Sequence, residues 1–406
     1  MAGPLSHIKV LDLSRILAGP WASQILADLG ADVIKVERPT VGDDSRAWGP
    51  PFLKNGEGRN TKESGYYLAA NRGKRSITLN FDVPEGQEIV RLLAANSDIV
   101  LENFRVGTLD RFGLGYKALS AINPRLIYCS ITGFGQTGPK KSLSAYDFLI
   151  QAMGGLMSIT GEKDGNPGGG PQKVGIPIID IITGIYASVA MLAAIAGRDV
   201  SGKGEYIDVA MLDVQVGVLA NQAMNFLVTG NTPTRTGNAH PNIQPQNVYN
   251  CKDGAVVLAI GNDGQFQKLC TALGRAELGY DDRFATNVAR VKNRAVLEPI
   301  IEAAFSSQTR SYWADRLSSV GVPCGPINSI PEVFGDAQVK EREMLRFLQH
   351  PQGGQVPQVA SPFKFSNAAL EYEVPPPLLG QHTEEILRSL DIGDDRIARM
   401  QRDGVI

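Results

Sequence analysis

The stretch that most constrains the fold lies near the start of the chain. IKVLDLS (8–14) reads as a strand. WASQILADLG (21–30) sets apolar residues at helical spacing and stops on Gly30, and DVIKVE (32–37) reads as a second strand. Strand, helix and strand in so short a span make a βαβ unit, whose crossover is expected to be right-handed. The alternation continues with RSITLNF (75–81) as strand and PEGQEIVRLLAANS (84–97) as a helix opened by Pro84. DIVLENF (98–104) and RLIYCSITGF (125–134) follow as strands. Near-continuous β-branched strands between helices predict an α/β fold, with a parallel sheet covered on both faces.

Farther along, GEYIDVAML (204–212) reads as a strand leading into a helix that runs to about Phe226. The Thr-, Asn-, Pro- and Gly-rich stretch 229–247 reads as a long loop at a boundary. GAVVLAIG (254–261) is then a strand, and 263–274, 295–306 and 309–320 are helices, which together suggest a smaller α+β domain. VPCGPINSIPEVF (322–334) reads as a second linker, followed by a strand near 359–366 and a helix in TEEILRSL (383–390). The division expected is 1–205 for the first part of a large domain and 206–229 for a linker. The small domain takes 230–318, a second linker 319–345, and a segment returning to the large domain 346–406.

The run 176–197, IPIIDIITGIYASVAMLAAIAG, carries a single charge, Asp180. Its length and apolarity would admit a membrane span, but it stands alone between α/β flanks, with Pro177 and Asp180 in its first turn. A helix buried in a soluble core is the expectation. Asp180 has two compatible readings. It caps a helix beginning at Ile181 or Ile182, or it is a desolvated carboxylate kept anionic by the helix N-terminus and able to act as a nucleophile.

With 40 basic and 42 acidic residues the net charge is −2, which lacks the basic excess of a nucleic-acid or anionic-membrane binder. Four scattered cysteines without a CxxC pair argue against a disulfide framework. Four histidines without metal-ligand spacing argue against zinc. The N-terminus lacks the basic-then-apolar layout of a signal peptide, so a cytoplasmic setting is expected.

The loop SRILAGPWA (14–22) follows the first strand, at the sheet edge where α/β folds bind ligands. It lacks GxGxxG, so hydride chemistry loses its main support. Arg38, after the second strand, and NRGKR (71–75) would suit a phosphate-rich ligand or simply be solvated. ITGFGQTGP (131–139) is a glycine-rich turn that could admit a ligand. Tyr146 and Asp147 read as a core tyrosine and a helix cap or as site residues, and His240 reads as an exposed loop histidine.

Together LDLSRILAGPWASQILADLGADVIKVERP (11–39), NRGKRSITLN (71–80), VLENFRVGTLDRFGLGY (100–116), YCSITGFGQTGP (128–139), AYDFLIQAMGGLMSITG (145–161), GIPIIDIITG (175–184), GKGEYIDVAML (202–212) and PLLGQHTEEIL (377–387) resemble the class III CoA-transferases. This is the family of formyl-CoA transferase, and the nearest branch resembles the succinyl-CoA:glutarate enzymes. The resemblance implies a Rossmann-like large domain built from both chain ends, a smaller domain, and an interlocked ring-like homodimer. It implies acyl-CoA and a small carboxylic acid as substrates, with no permanently bound cofactor and no metal.

It also implies that Asp180 is the nucleophile, with CoA contacts at Arg38, Leu79, Asn103, Phe104 and Arg111 and with Lys74 and Arg75 nearby. Trp48 and Tyr146 match residues lining the reacting centre; Asp147, in the same segment as Tyr146, and His240, in the loop 236–246, are further substrate-lining candidates. Two departures from formyl-CoA transferase, Leu17 in place of its glutamine ahead of AGP and a loop 236–246 without its run of glycines, point away from formyl or oxalate substrates. Arg15 and Arg46 are candidates to grip the distal carboxylate of a dicarboxylic acid. A racemase branch on the same fold is the rival, but it uses a histidine where this chain has Tyr146, a poor proton acceptor at neutral pH. A non-catalytic CoA-ester-binding protein is the second rival, and an intact Asp180 argues against it.

Overall fold

A computed structural model describes residues 3–406. The chain divides into two units. One comprises the chain through Leu156, Val174–Val228 and Ala337–Ile406, and the other Met157–Lys173 and Thr229–Asp336.

The first unit is built on a sheet of β1 (Lys9–Asp12), β2 (Asp32–Glu37), β5 (Lys74–Thr78), β6 (Ile99–Glu102), β7 (Ile127–Thr132) and β8 (Glu205–Ala210). The hairpin β3 (Phe52–Lys54) and β4 (Asn60–Ser64) is inserted between β2 and β5. The spatial order is β5-β2-β1-β6-β7-β8, and every pairing is parallel. The order runs outward from β1 in one direction and then restarts beside it at β6. That reversal opens a crevice at the carboxyl ends of β1 and β6, where doubly wound sheets take ligands.

Apolar layers cover both faces. On one, Ala22 and Leu26 of the helix Ala18–Asp28 and Ala187 and Met191 of the long helix Ile178–Ser201 pack on Val10, Ile99 and Ile127. On the other, Ile89 and Leu93 meet Leu11 and Val100, and Ile386 and Met400 from the end of the chain join them. The C-terminal segment therefore completes the core begun by the first strands.

Segment 206–229 was expected to be a linker. It carries instead most of β8 and the helices Met211–Val218 and Ala220–Thr229. The strand and following helix read at 204–226 are therefore present, and they belong to the first unit rather than to a connection between domains. The strand expected at 359–366 is also displaced. A hairpin, β12 (Leu345–His350) with β13 (Gly354–Val359), precedes it, and 361–366 is irregular.

In the second unit, β9 (Gln246–Cys251), β10 (Gly254–Ala259) and β11 (Cys324–Pro326) form an antiparallel sheet. Phe266, Phe305 and Trp313 from its helices pack on Tyr249 and Val256. The boundary loop thus ends earlier than expected, and β11 occupies a segment expected to be linker.

The long helix is the one among the described residues with the length and apolarity to cross a membrane. One face, including Ile179, Ala187 and Met191, is buried in the first unit, whereas Ile185, Tyr186 and Val189 are exposed. Only half the expected burial is present. Close packing at its start depends on Gly184: a Cβ there would lie 2.7 Å from the Ala18 carbonyl oxygen. Gly184 follows Asp180 by four residues, on the same helix face. Its missing side chain lets Asp180 approach the start of the first helix.

Candidate active site

The crevice holds a cavity of about 220 Å³. Its walls are the loop after β1 (Arg15 to Ala18), the loop after β6 (Asn103 to Val106), the end of β7 and the stretch Lys141 to Tyr146, with Asp180 and Met211 completing it.

The β1 loop is held from several sides. Asn103 takes the Arg15 amide proton at 2.8 Å and donates to the Arg15 carbonyl at 2.7 Å. Ile16 has φ 72°, a left-handed conformation that is costly for a β-branched residue. Its amide donates to both Asp43 oxygens at 3.1 and 3.2 Å. Asp43 is itself fixed by a buried ion pair with Lys35 at 2.9 Å, which holds its carboxyl well below the usual range despite burial. Strain kept in place by this many contacts marks a loop whose shape serves a purpose.

Asp180 is only 9% exposed. It does not cap the long helix as expected. The helix starts at Ile178, so Asp180 lies within its first turn, and the cap arrives from elsewhere. Asp147 accepts the Ile179 amide at 2.7 Å and the Asp180 amide at 3.2 Å. The Asp180 carboxylate accepts no hydrogen bond among the described residues. Burial, and secondarily the charge of Asp147, pushes its pKa up to about 7. A carboxylate fully anionic at neutral pH was expected. In the free protein it is balanced between its two forms, because Asp147 already uses the amides that would have favoured the anion.

Tyr66, which sequence reasoning missed, lies close enough to feel the charge of Asp180, although it does not line the cavity. Burial and then the charges of Asp180, Asp147 and Asp43 raise its hydroxyl to about 12. Its ring meets Trp48 edge-on at 5.0 Å, which ties the 41%-exposed Trp48 to the site through Tyr66. The only sequence signal was a pair of tyrosines in GYYL, which is indistinguishable from core filling.

Of the expected residues, Arg15, Leu17, Asn103, Phe104 and Tyr146 line the cavity, whereas Arg38 and Arg111 do not. Arg15 pairs with Asp44 at 3.0 Å and lies 5.0 Å from the Phe104 ring centroid, and its Nε has no partner. Arg38 reaches the same Asp44 at 2.8 Å and is half exposed. Leu17 and the 63%-exposed Tyr146 line the wall. Arg111 is exposed beside Phe112.

Others must be reassigned. Arg46, expected to grip substrate, is only 6% exposed. Its Nε and Nη2 fork onto Glu37 at 2.7 and 2.8 Å, and its Nη1 binds Glu63 at 2.7 Å. With Tyr67 and the Pro377 carbonyl also bound, each of its three nitrogens is engaged, and its burial keeps it from a ligand in the cavity. Lys74, expected near CoA, is fully buried and bonded to Asp12, Asn71 and the Pro20 carbonyl, and burial lowers its pKa to about 7. Arg75 forks onto Asp32 at the amino edge of the sheet, away from the crevice. The Leu79 side chain is core, and its amide binds the Glu37 carbonyl at 2.8 Å. Asp147 lies behind the wall rather than in it. His240 belongs to the second unit, where its Nδ1 accepts the Asn242 and Ile243 amides, each at 3.1 Å, and orders its own loop.

A buried, unpartnered carboxylate at the switch point of a doubly wound sheet, in a cavity that also exposes Arg15, Arg105 and Lys141, suits the binding and covalent handling of an anionic substrate. The chain belongs to CoA-transferase family III, whose sequence model matches residues 5–383. It is 49% identical over 388 residues to the succinate–glutarate CoA-transferase of Agrobacterium fabrum, covering 96% of each chain. It is 42% identical over 404 residues to the succinyl-CoA:glutarate CoA-transferase of Mus musculus, covering 99% of this chain and 90% of that one. A crystal structure of a CAIB/BAIF family protein from Brucella suis superposes with a TM-score of 0.83 at 50% identity, covering 96% of this chain and all of that one. The chain is an enzyme that transfers CoA between acyl-CoA thioesters and carboxylic acids.

Proposed function

We propose that this enzyme moves CoA from succinyl-CoA to glutarate or a closely related dicarboxylic acid, and that Asp180 is the nucleophile. The observation that carries the nucleophile is the Asp180 carboxylate itself, buried at the cavity and bonded to nothing. The substrates rest on the named relatives and on Arg15, whose partly exposed guanidinium lines the cavity and can take a second carboxylate.

An Asp180 oxygen attacks the thioester carbonyl of the donor. The C–S bond breaks, leaving a mixed anhydride and CoA thiolate. The thiolate attacks the Asp180 carbonyl carbon, the anhydride C–O bond breaks, and the donor acid departs from an aspartyl-CoA thioester. The acceptor carboxylate then runs the same steps in reverse. Both exchanges conserve charge and need no added oxidant or proton donor. With acyl-CoA filling the cavity, the low exposure of Asp180 limits the access of water to the anhydride.

A homodimer of threaded subunits belongs to the same reading. The exposed apolar face of the long helix, with Ile185, Tyr186 and Val189, favours a covering partner. Light scattering that returns the mass of one chain would remove that part.

The substrate test is incubation with succinyl-CoA and a panel of glutarate, malate, itaconate, mesaconate and oxalate, read by mass spectrometry. Glutaryl-CoA should accumulate fastest. Oxalyl-CoA forming in its place would overturn the substrate assignment. Asp180→Asn should reduce transfer by on the order of 10⁴-fold, and undiminished turnover would overturn the nucleophile.

A further inference from the structure

The start of the long helix offers three amides that ordinarily seek a cap, those of Ile178, Ile179 and Asp180, since Pro177 at the cap position has none. All three are taken. The Ile178 amide binds the Ile176 carbonyl at 2.8 Å, Asp147 holds those of Ile179 and Asp180, and from Ile181 onward the helix's own bonding begins, with its amide on the Pro177 carbonyl at 3.2 Å. An aspartate in a first turn usually folds back onto such amides, and here none remains for Asp180.

Asp147 is locked in that position. Gln151, fully buried one turn later, donates its Nε2 to the other Asp147 oxygen. Its Oε1 accepts the Val174 amide at 2.9 Å, so the segment leading into the long helix is tied to the same pair.

We propose that Asp147 is a positioning residue for CoA transfer: by capping the long helix in place of Asp180, it leaves the Asp180 carboxylate turned to the cavity without a partner and beside a like charge. This rests on Asp180 being the nucleophile. The arrangement destabilises the resting anion relative to acylated Asp180, which is neutral, and so favours formation of the covalent enzyme. The shift of Asp180 to about 7 agrees with it.

The charged and titratable groups around Asp180 are few. Asp147 stands on the helix Asp147–Met153, Tyr66 on the short helix Gly65–Leu68, and Arg15, Arg105 and Lys141 on the cavity loops. The helix Met211–Val218, which packs on the long helix, contributes only the exposed Asp213. The first helix meets the long one through Ala18, Trp21 and Ala22, and its single ionisable group, Asp28, is bound to Arg72 at its far end.

The test compares wild type, Asp147→Asn, Asp147→Ala and Asp180→Asn in kcat, in KM for the CoA ester, and in the pH profile of kcat/KM. In wild type the acid limb should fall near pH 7; a midpoint near 4 would overturn the proposal without any variant. Asp147→Asn keeps an acceptor for the amides but loses the charge. Its acid limb should move down by about one pH unit and its kcat should fall roughly tenfold, with KM within about twofold. In Asp147→Ala the freed amides recapture Asp180, and kcat should fall by about 100-fold.

Wild-type kcat and midpoint in both variants, or a loss of kcat with an unmoved midpoint, would overturn the proposal and leave Asp147 a structural cap. An inactive Asp180→Asn beside such variants confines the failure to Asp147. An active Asp180→Asn instead overturns the nucleophile reading, and the positioning role with it.

Discussion

Two buried charged clusters in the first unit stand in contrast. Around Arg46, each terminal nitrogen of the guanidinium and its Nε meet Glu37, Glu63, Tyr67 or a carbonyl, and the ring of Tyr67 lies 3.7 Å from its carbon. Around Asp180 the carboxylate finds no hydrogen bond, and the charge that acts on it, that of Asp147, has the same sign. Both groups have lost water. The first has been given partners in return and holds together β2, β4 and the C-terminal segment. The second has not, and it faces a cavity. Desolvation alone therefore does not mark a catalytic group; desolvation without compensation, at a place a ligand can reach, does.

The sharpest way to break that comparison is to neutralise one member of each cluster and measure stability together with turnover. Arg46→Met strands two buried glutamates and should cost about 3–5 kcal/mol, seen as an apparent Tm roughly ten degrees lower. Glu37 has a pKa held below 4.5 by Arg46 in spite of burial. Its contribution is present above that value and is lost as pH falls through the folded value. The deficit of Arg46→Met should therefore narrow in acid.

Asp180→Asn should behave in the opposite way. A carboxyl raised from 3.8 to about 7 costs the fold nothing below about pH 4. The cost accumulates as pH rises between the two values and stays constant above. Removing it should leave the Tm unchanged at pH 4 and raise it by a few degrees at pH 8, on the order of 3 kcal/mol, while transfer is lost. A variant that is both inactive and destabilised at pH 8 would place Asp180 among the structural charges beside Arg46.

Arg15 lies between the two extremes, its side chain 35% exposed, paired with Asp44 and lining the cavity. Arg15→Ala should raise KM for the acceptor acid roughly tenfold, as for one lost hydrogen bond to a charged group, with the CoA-ester KM almost unchanged and the Tm within a degree or two. An unchanged acceptor KM would sink its role in gripping the acid. A loss of stability like that of Arg46→Met would instead make it part of the frame.

The parallel sheet and its switch point were legible in the sequence because buried β-branched strands and capped helices follow one another in local order from Lys9 to Thr132. Asp180 was legible because a lone charge in an apolar run needs an explanation. What could not be read was which partner each charge would find. Arg46 and Arg15 look alike as loop arginines, yet the acids that enclose Arg46 come from β2 and β4, and the Pro377 carbonyl comes from far along the chain. Lys74 and Arg75 are neighbours in a basic cluster, but successive residues of a strand point to opposite faces. One is sealed beneath the first helix and the other sits at the amino edge of the sheet. The cap on the long helix was misplaced for a related reason, since Asp147 is 32 residues from the amide it binds.

Tyr66 gives the smallest effect and the finest probe of the unpaired cluster. Its hydroxyl stays protonated up to about 12, so at every pH where the enzyme works it is a neutral donor within electrostatic reach of Asp180. Tyr66→Phe preserves the ring and its contact with Trp48 and removes only that donor. kcat should fall about fivefold, the worth of one neutral hydrogen bond, with no change in Tm beyond a degree. No alkaline limb between pH 8 and 10 should vanish, because the phenol does not titrate there in wild type. A kcat equal to wild type would assign Tyr66 to packing under Trp48, whereas a loss as large as that of Asp180→Asn would mean that the carboxylate has a partner during turnover after all, and the contrast with Arg46 would then hold only for the resting enzyme.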